Sequence, residues 1–380
     1  MRIALLILHA DPARGGAERY TIDLAKALSA RGHDVALLAG SFARDLDAGD
    51  ATLTKVAAAG ATRTGRYMRY VRSVREALAA DRPGVVHAML PVPPGLCDVY
   101  HPHAGIEARA NRAHLSFTNP RRAMFIRVER RLLGGERPPL VLTLSRRVGR
   151  ELRRFHPAFP HDRERRLFNA VDLDVFRPDG ATVERSTLGQ RRDGDLLALF
   201  VGNDWERKGL ATVIAALDKL PSRVRLAVAG QDRPPRESAA RELAADLKVA
   251  DRVTFLGRRR DVADLYRTAD VLVHHSSHDP CSLATLEALA SGLPVVASRR
   301  DGATEIITNG EHGYRLFEEG DKSAQELADR VRKLLDPEDR QRMRDNCLSL
   351  RPRLSWDHHV GRLVEIYGEI RAKEPEHADV

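Results

Sequence analysis

The sequence predicts an α/β protein built of two successive, doubly wound domains with parallel sheets. Three observations carry this. Short apolar runs of strand length recur along the chain, many of them closed by a glycine. Between them lie segments whose apolar residues fall at helical spacing. The alternation also begins twice, at Arg2 and again at Leu196, in a chain of 380 residues, longer than one hydrophobic core usually serves.

The first series opens with Arg2-Ile3-Ala4-Leu5-Leu6-Ile7-Leu8, a continuous apolar run suited to a central strand covered on both faces. Gly15-Gly16 make a turn, and residues 17–31 carry Ile22, Leu24, Ala25 and Leu28 on one helical face, with Gly32 as the stop. Residues 34–39 read as the next strand, which completes a βαβ unit. Further strands are expected at 85–88 and 140–145, the latter leading into a helix from Arg146. Residues 109–137 read as helical and strongly basic. Asn169-Ala170-Val171-Asp172 and Phe176-Arg177-Pro178 end the series, followed by a linker rich in Pro, Asp and Gly.

The second series repeats the grammar. Strands are expected at 196–201, 225–229, 253–256, 271–274 and 294–297, and helices at 210–220, 237–247, 262–267 and 283–290. Gly202, Gly230, Gly257 and Gly292 stand at element ends. A final helix is expected over 356–370. The domains are therefore placed at 1–175 and 190–350, with 355–380 as a C-terminal helix crossing back to the first domain and a ligand cleft between the two.

Composition narrows the class. With 43% apolar and 30% charged residues the chain is globular. Its three cysteines, Cys97, Cys281 and Cys347, form neither a zinc pattern nor a disulfide framework, which fits a reducing cytoplasm. No run of 18 apolar residues exists to cross a membrane. The net charge of +9, crowded into arginines between Arg109 and Arg166, suits an anionic membrane surface or a phosphorylated glycan. Nucleic acid is not expected as a partner, because aromatic residues make up only 5% and no RNA-binding aromatic motif is present.

Three segments carry chemistry. Gly15-Gly16-Ala17-Glu18 opens a helix, where backbone can approach an anion; it is not a dinucleotide fingerprint. Gly202-Asn203-Asp204-Trp205-Glu206-Arg207-Lys208-Gly209 sets two adjacent cations on a strand-to-helix loop, which suits a diphosphate whose charge grows as it departs. Asp279-Pro280-Cys281-Ser282-Leu283-Ala284-Thr285-Leu286-Glu287 places one carboxylate before a short helix and a second eight positions later, inside it. Amide groups near Ser282 and Leu283 would face a phosphate, and Glu287 could accept both hydroxyls of a ribose. Asp45-Leu46-Asp47 has the spelling of a metal-binding pair but lacks a preceding strand, and no metal site is expected.

With these residues the chain resembles the retaining glycosyltransferases of family 4, which have the GT-B fold of two Rossmann-like domains facing across a cleft. The segment from Asp279 to Glu287 resembles that family's acidic motif, with Asp in place of the usual first Glu. Gly-Gly-Ala-Glu, the Arg-Lys-Gly loop and Asn169-Ala170-Val171-Asp172 resemble its other landmarks, in order. Val201-Gly202-Asn203-Asp204, Val228-Ala229-Gly230-Gln231-Asp232 and Asp98-Val99-Tyr100 are similar to the lipopolysaccharide core glucosyltransferase I group.

The resemblance implies a nucleotide-sugar donor, UDP- rather than GDP-linked, a glycan or glycolipid acceptor, no separate cofactor, and a cytoplasmic enzyme peripheral on the inner face of the plasma membrane. It implies that Arg207 and Lys208 bind the diphosphate, with Asn203 in the same loop, and that Ser282 and Leu283 offer amides to it. Glu287 would hold the ribose, Asp279 the sugar, and backbone around Gly257 and Arg258 the base. Gly15 and Gly16 would line the cleft from the first domain. His103, with His101 second, would stand near the reacting sugar. A nucleotide-sugar 2-epimerase of the same fold and a catalytically silent binding protein, the latter prompted by Asp279, stay open beside the transferase.

Overall fold

The structure, a computed structural model, describes residues 1–107 and 120–373. It falls into two compact units. One comprises Met1–Asn169 with the C-terminal helix, and the other Ala170–Ser355. The chain passes to the second unit after Asn169, where the Val171 amide donates to the Leu354 carbonyl at 2.8 Å.

In the first unit, β1 (Arg2–Ile7), β2 (Asp34–Ala39), β3 (Thr52–Lys55), β4 (Val85–Ala88), β5 (Val99–Tyr100), β6 (Leu140–Thr143) and β7 (Glu164–Arg166) form one parallel sheet in the order 3-2-1-4-5-6-7. β1 lies between β2 and β4, pairing Arg2 with Asp34 and Ile3 with Val85. That central place explains its unbroken apolar run, since both faces are covered and Ile3 to Ile7 are all buried. β3, β5 and β7 are too short, too polar or too weakly patterned to stand out in the sequence.

In the second unit, β8 (Leu196–Val201), β9 (Val224–Ala229), β10 (Val253–Gly257), β11 (Val271–His274), β12 (Val295–Ser298) and β13 (Gly313–Leu316) are also all parallel, in the order 10-9-8-11-12-13. Both sheets thus turn back on themselves beside their first strand, between β1 and β4 and between β8 and β11. That reversal is where open α/β sheets leave a crevice at the carboxyl ends of the strands. Each unit has its own apolar core, one around Leu5, Leu24, Leu37 and Leu142, the other around Phe200, Ile214, Val228 and Leu327.

The helix Trp356–Lys373 belongs to the first unit. Val360, Leu363, Ile366, Tyr367 and Ile370 fall on one face and are buried in that core. The Tyr367 hydroxyl meets Nδ1 of His87 on β4 at 2.7 Å, which ties the helix to the sheet with a polar contact as well. Of the basic stretch read as helical over 109–137, Pro120–Leu133 is a helix, and 109–119 lies outside the described residues. Among the described residues no helix is long and apolar enough to cross a membrane.

Candidate functional site

The reversal point of the second sheet brings Arg207, Lys208 and Asp279 together. β11 pairs directly with β8, so the loops that leave them are neighbours although two strands intervene in sequence. Their backbones are tied: the His275 amide donates to the Lys208 carbonyl at 3.1 Å, and Ser277 to Arg207 at 2.8 Å. The loop after β8 contains a single helical turn, Trp205–Lys208, flanked by Asp204 and Gly209, both with positive φ (58° and 77°). A Cβ on Gly209 would stand 2.1 Å from the His275 carbonyl oxygen, so only glycine fits after the two cations.

Asp204 shows what fixes this turn. Its Oδ2 accepts from Nε of Arg207 at 2.9 Å and its Oδ1 from Nη1 of Arg236 at 3.0 Å. Asp232, beyond β9, accepts from the Trp205 amide at 2.7 Å. The turn is therefore clamped from two sides, and Arg207 and Lys208 point at the loop after β11.

Oδ2 of Asp279 receives both cations, Lys208 Nζ at 2.9 Å and Arg207 Nη1 at 3.0 Å. Lys208 Nζ also donates to Oγ of Ser282 at 2.9 Å. Asp279 and Lys208 are both buried. Burial by itself would raise the Asp279 carboxyl, but Lys208 and then Arg207 outweigh it and hold it well below the usual carboxylate range. Beside them lies Asp301, at the end of β12 and fully buried. Its Oδ1 accepts from the amides of Ser282 (3.0 Å) and Ala303 (2.9 Å), and its Oδ2 from the Thr285 hydroxyl (2.6 Å). Burial and the charge of Asp279 push its carboxyl up to about 6.

Asp301 thus fastens the start of the helix Leu283–Ala290, with Ser282 as its N-cap. The Ser282 amide, expected from sequence to face a phosphate, is spent on Asp301, so it is a structural donor here. Leu283 opens the helix, where amides have no intrahelical partner. Glu287 lies buried about one turn along the same helix and accepts from the Tyr266 hydroxyl at 3.1 Å. Asn203 is exposed, its Oδ1 taking the Gln231 amide at 3.0 Å. Gly257 and Arg258 are exposed at the carboxyl end of β10, two strands from β8.

In the first unit, Gly15 and Gly16 are exposed at the start of the helix Gly16–Ser29, after β1. His103 follows β5, half-buried, its ring 4.2 Å from those of both Tyr20 and His101. His101 is fully buried, stacks on His87 at 5.4 Å, and has no hydrogen-bond partner for either ring nitrogen. The Tyr20 hydroxyl meets Nε2 of His359 at 2.6 Å. Burial lowers all four imidazoles, His103 and His359 to about 3, so the cluster is neutral near pH 7. Asp45-Leu46-Asp47 lies in a loop where Asp47 pairs with Lys26 at 2.6 Å.

The structure therefore joins Lys208, Arg207, Asp279 and Ser282 in one bonded group and sets Glu287 on the adjoining helix. Asp301, Tyr266, Thr285 and Asp204 complete it and were not singled out by sequence. Asp301 stands outside the acidic pair by which the sequence pointed to Asp279, and only its place just past β12, an apolar strand, could have drawn attention to it.

The family model for glycosyl transferases group 1 matches residues 188–348, and that for glycosyltransferase family 4 matches 14–175. A D-inositol 3-phosphate glycosyltransferase of Acidothermus cellulolyticus is 27% identical, across 98% of this chain and 91% of its own. The crystal structure of WaaG, a glycosyltransferase involved in lipopolysaccharide biosynthesis, superposes with a TM-score of 0.80 at 24% identity, covering 96% of this chain and 99% of the other. Anabaena HepE in complex with UDP and glucose superposes with a TM-score of 0.74 at 20% identity, covering 97% and 100%. With two parallel-sheet units of this topology and both halves matched, the chain belongs to the glycosyltransferases of family 4 and group 1, with the GT-B fold.

Proposed function

We propose that this glycosyltransferase moves a hexosyl group, with retention of anomeric configuration, from a UDP-sugar to a hydroxyl of a glycan or glycolipid. The observation that carries the reading is the placement of Lys208 and Arg207 at the reversal point of the second sheet, beside the helix Leu283–Ala290. Arg207 commits Nε to Asp204 and Nη1 to Asp279 and the His278 carbonyl, which leaves Nη2 for a β-phosphate oxygen. Lys208 commits two N–H groups, to Asp279 and Ser282, and keeps the third. These donors favour the diphosphate more as its charge grows, which lowers the barrier to its departure.

In this reading the bond from the anomeric carbon to the diphosphate breaks, and the acceptor oxygen bonds to the same face. The acceptor's proton passes to a diphosphate oxygen, so no carboxylate nucleophile is called for. His103, kept neutral by its surroundings, can donate to a sugar hydroxyl. Glu287 holds the ribose in exchange for, or alongside, its bond from Tyr266. The UDP and glucose named with HepE and the lipopolysaccharide named with WaaG support the donor and acceptor classes.

The test is incubation with UDP-glucose, UDP-galactose and GDP-mannose, with and without acceptor, followed by NMR of the anomeric protons. A product carrying the donor's anomeric configuration supports the reading. An inverted linkage would remove the retaining route, and an isomerised sugar formed without acceptor would favour the epimerase. The exposed Arg127, Arg130, Arg131, Arg150, Arg153 and Arg154 support docking on an anionic membrane. Co-sedimentation with phosphatidylglycerol vesicles should then fall as salt rises, and no binding at low salt would remove the idea.

A further inference from the structure

The relatives' names point to different acceptors, so the acceptor's chemistry has to be sought in this chain's own residues. We propose that Arg14, Arg63, Arg66 and Arg121 of the first unit form a site for a phosphate group carried by the acceptor. This rests on the transferase reading above and narrows its acceptor class.

Geometry brings these side chains to one edge of the sheet. The helices Arg63–Ala80 and Pro120–Leu133 meet near their N-termini, where the Tyr67 and Phe125 rings stand edge to face at 4.9 Å. The Tyr67 hydroxyl donates to the Pro91 carbonyl, just past β4, at 2.6 Å, and Tyr70 donates to Leu38 in β2 at 3.2 Å. These N-termini therefore lie at the carboxyl ends of β2 and β4. Arg63 and Arg66 sit in the first turn of the first helix, and the Arg121 guanidinium lies 5.3 Å from the centre of the Phe125 ring. Arg14 is on the loop that leaves β1 at the same edge, which His9 anchors through Ser41 at 2.7 Å. All four lie at that end of the sheet, where α/β proteins hold ligands, and Arg14, Arg121 and Arg66 are near enough to His9 to disfavour its charged form after burial has done so.

Their side chains have no carboxylate partner among the described residues. Arginines such as Arg2, Arg165, Arg185 and Arg236 are bound to carboxylates, whereas among the described residues these four make no ion pair and no side-chain hydrogen bond, and all are exposed. Of the nearby carboxylates, Asp11 is engaged by the Ala13 amide, and burial raises the proton affinity of Glu18. Burial first, and then Arg63 and Arg14, disfavour the charge on Arg121, and Glu107 and Glu18 offset this only in part.

Like charges assembled without partners are unfavourable until an anion joins them. A phosphate dianion offers tetrahedral oxygens that match several forked guanidinium groups at once. A nucleic-acid strand is a poorer match. Among the described residues the exposed large apolar side chains of the first unit, Leu53 and Met68, include no aromatic on which a base could stack.

The experiment is titration calorimetry on the full chain at fixed ionic strength, with glucose 6-phosphate, glucose and UDP as separate probes, and phosphatidylglycerol vesicles in a co-sedimentation arm. The wild type should bind glucose 6-phosphate more tightly than glucose. The pairs Arg63→Ala with Arg66→Ala and Arg14→Ala with Arg121→Ala should each weaken it about tenfold or more. Arg72→Ala, an exposed arginine further along the first of these helices, should leave it unchanged. Vesicle binding lost in the same two pairs, with no glucose 6-phosphate binding, assigns the phosphate to a lipid-borne acceptor. Wild-type affinity in both pairs, or equal affinity for glucose and its phosphate, overturns the site. A wild type that fails to bind UDP sinks the transferase reading instead, whatever the arginines do.

Discussion

Lys208 Nζ stands 2.9 Å from Oδ2 of Asp279, both side chains buried, and this contact joins the loop after β8 to the loop after β11. Removing one partner leaves the other charge without its mate. Lys208→Ala should therefore cost about 1–3 kcal/mol in urea unfolding, less than the 3–5 of an isolated buried pair because Arg207 still reaches Asp279. It should also lower kcat by about 10²–10³-fold. Adding Asp279→Asn should restore part of the stability and none of the turnover. A double variant as unstable as the sum of the singles would show that the two residues are not coupled.

Gly209 has no substitute. Gly209→Ala meets a carbonyl oxygen at 2.1 Å from a backbone with φ of 77°, so the turn Trp205–Lys208 must move. Strain of about 1–3 kcal/mol is expected from the backbone angle, with the clash in addition. Calorimetric titration of UDP should show weaker binding than Arg207→Ala alone, because both cations are displaced together. An unchanged midpoint in urea would mean that the loop accommodates a methyl group.

What the sequence made legible follows from where each residue stands. β1 and β8 were readable because a central parallel strand, buried on both faces, has to be apolar throughout, as Ile3–Ile7 and Leu196–Phe200 are. β7, Glu164-Arg165-Arg166, lies at the sheet edge with a side pointing to water, and nothing in its composition marks a strand. Arg207, Lys208 and Asp279 were picked out by local pattern, two adjacent cations on a strand-to-helix loop and a carboxylate just before a short helix. That Asp279 would be gripped by both cations was not legible, since the contact depends on β11 lying beside β8, a long-range pairing. Likewise the Ser282 amide looked available from helix geometry, and only the fold brings Asp301 to consume it.

Asp301 gives a test with a defined sign. Asp301→Ala leaves the Ser282 and Ala303 amides buried without an acceptor, at about 1–3 kcal/mol each. Asp301→Asn keeps one oxygen for those amides and should cost less. Because burial and Asp279 raise the folded carboxyl to about 6, from an ordinary 3.8, the folded state holds its proton more tightly than the unfolded chain. The stability this confers is present below pH 3.8 and is lost as pH rises toward 6. The wild type should therefore lose stability relative to Asp301→Asn over that interval. Parallel urea midpoints from pH 4 to 7 would contradict the assignment.

The histidines of the first unit act in the opposite direction. His87, His101, His103 and His359 are packed around Tyr20, Tyr367 and one another, and burial holds each below its ordinary 6.5. The unfolded chain takes up protons first, so the stability linked to these groups is fully present above pH 6.5 and is lost as pH falls toward 3. His101 is the most exposed to this penalty in energetic terms, having two buried ring nitrogens with no partner. His101→Leu, of similar size and without polar atoms, should match or exceed the wild type at pH 8, and its advantage should widen at pH 5. Urea unfolding at the two pH values decides it. If both proteins lose the same stability between them, the acid sensitivity resides elsewhere, and the imidazole of His101 has a partner that compensates its burial.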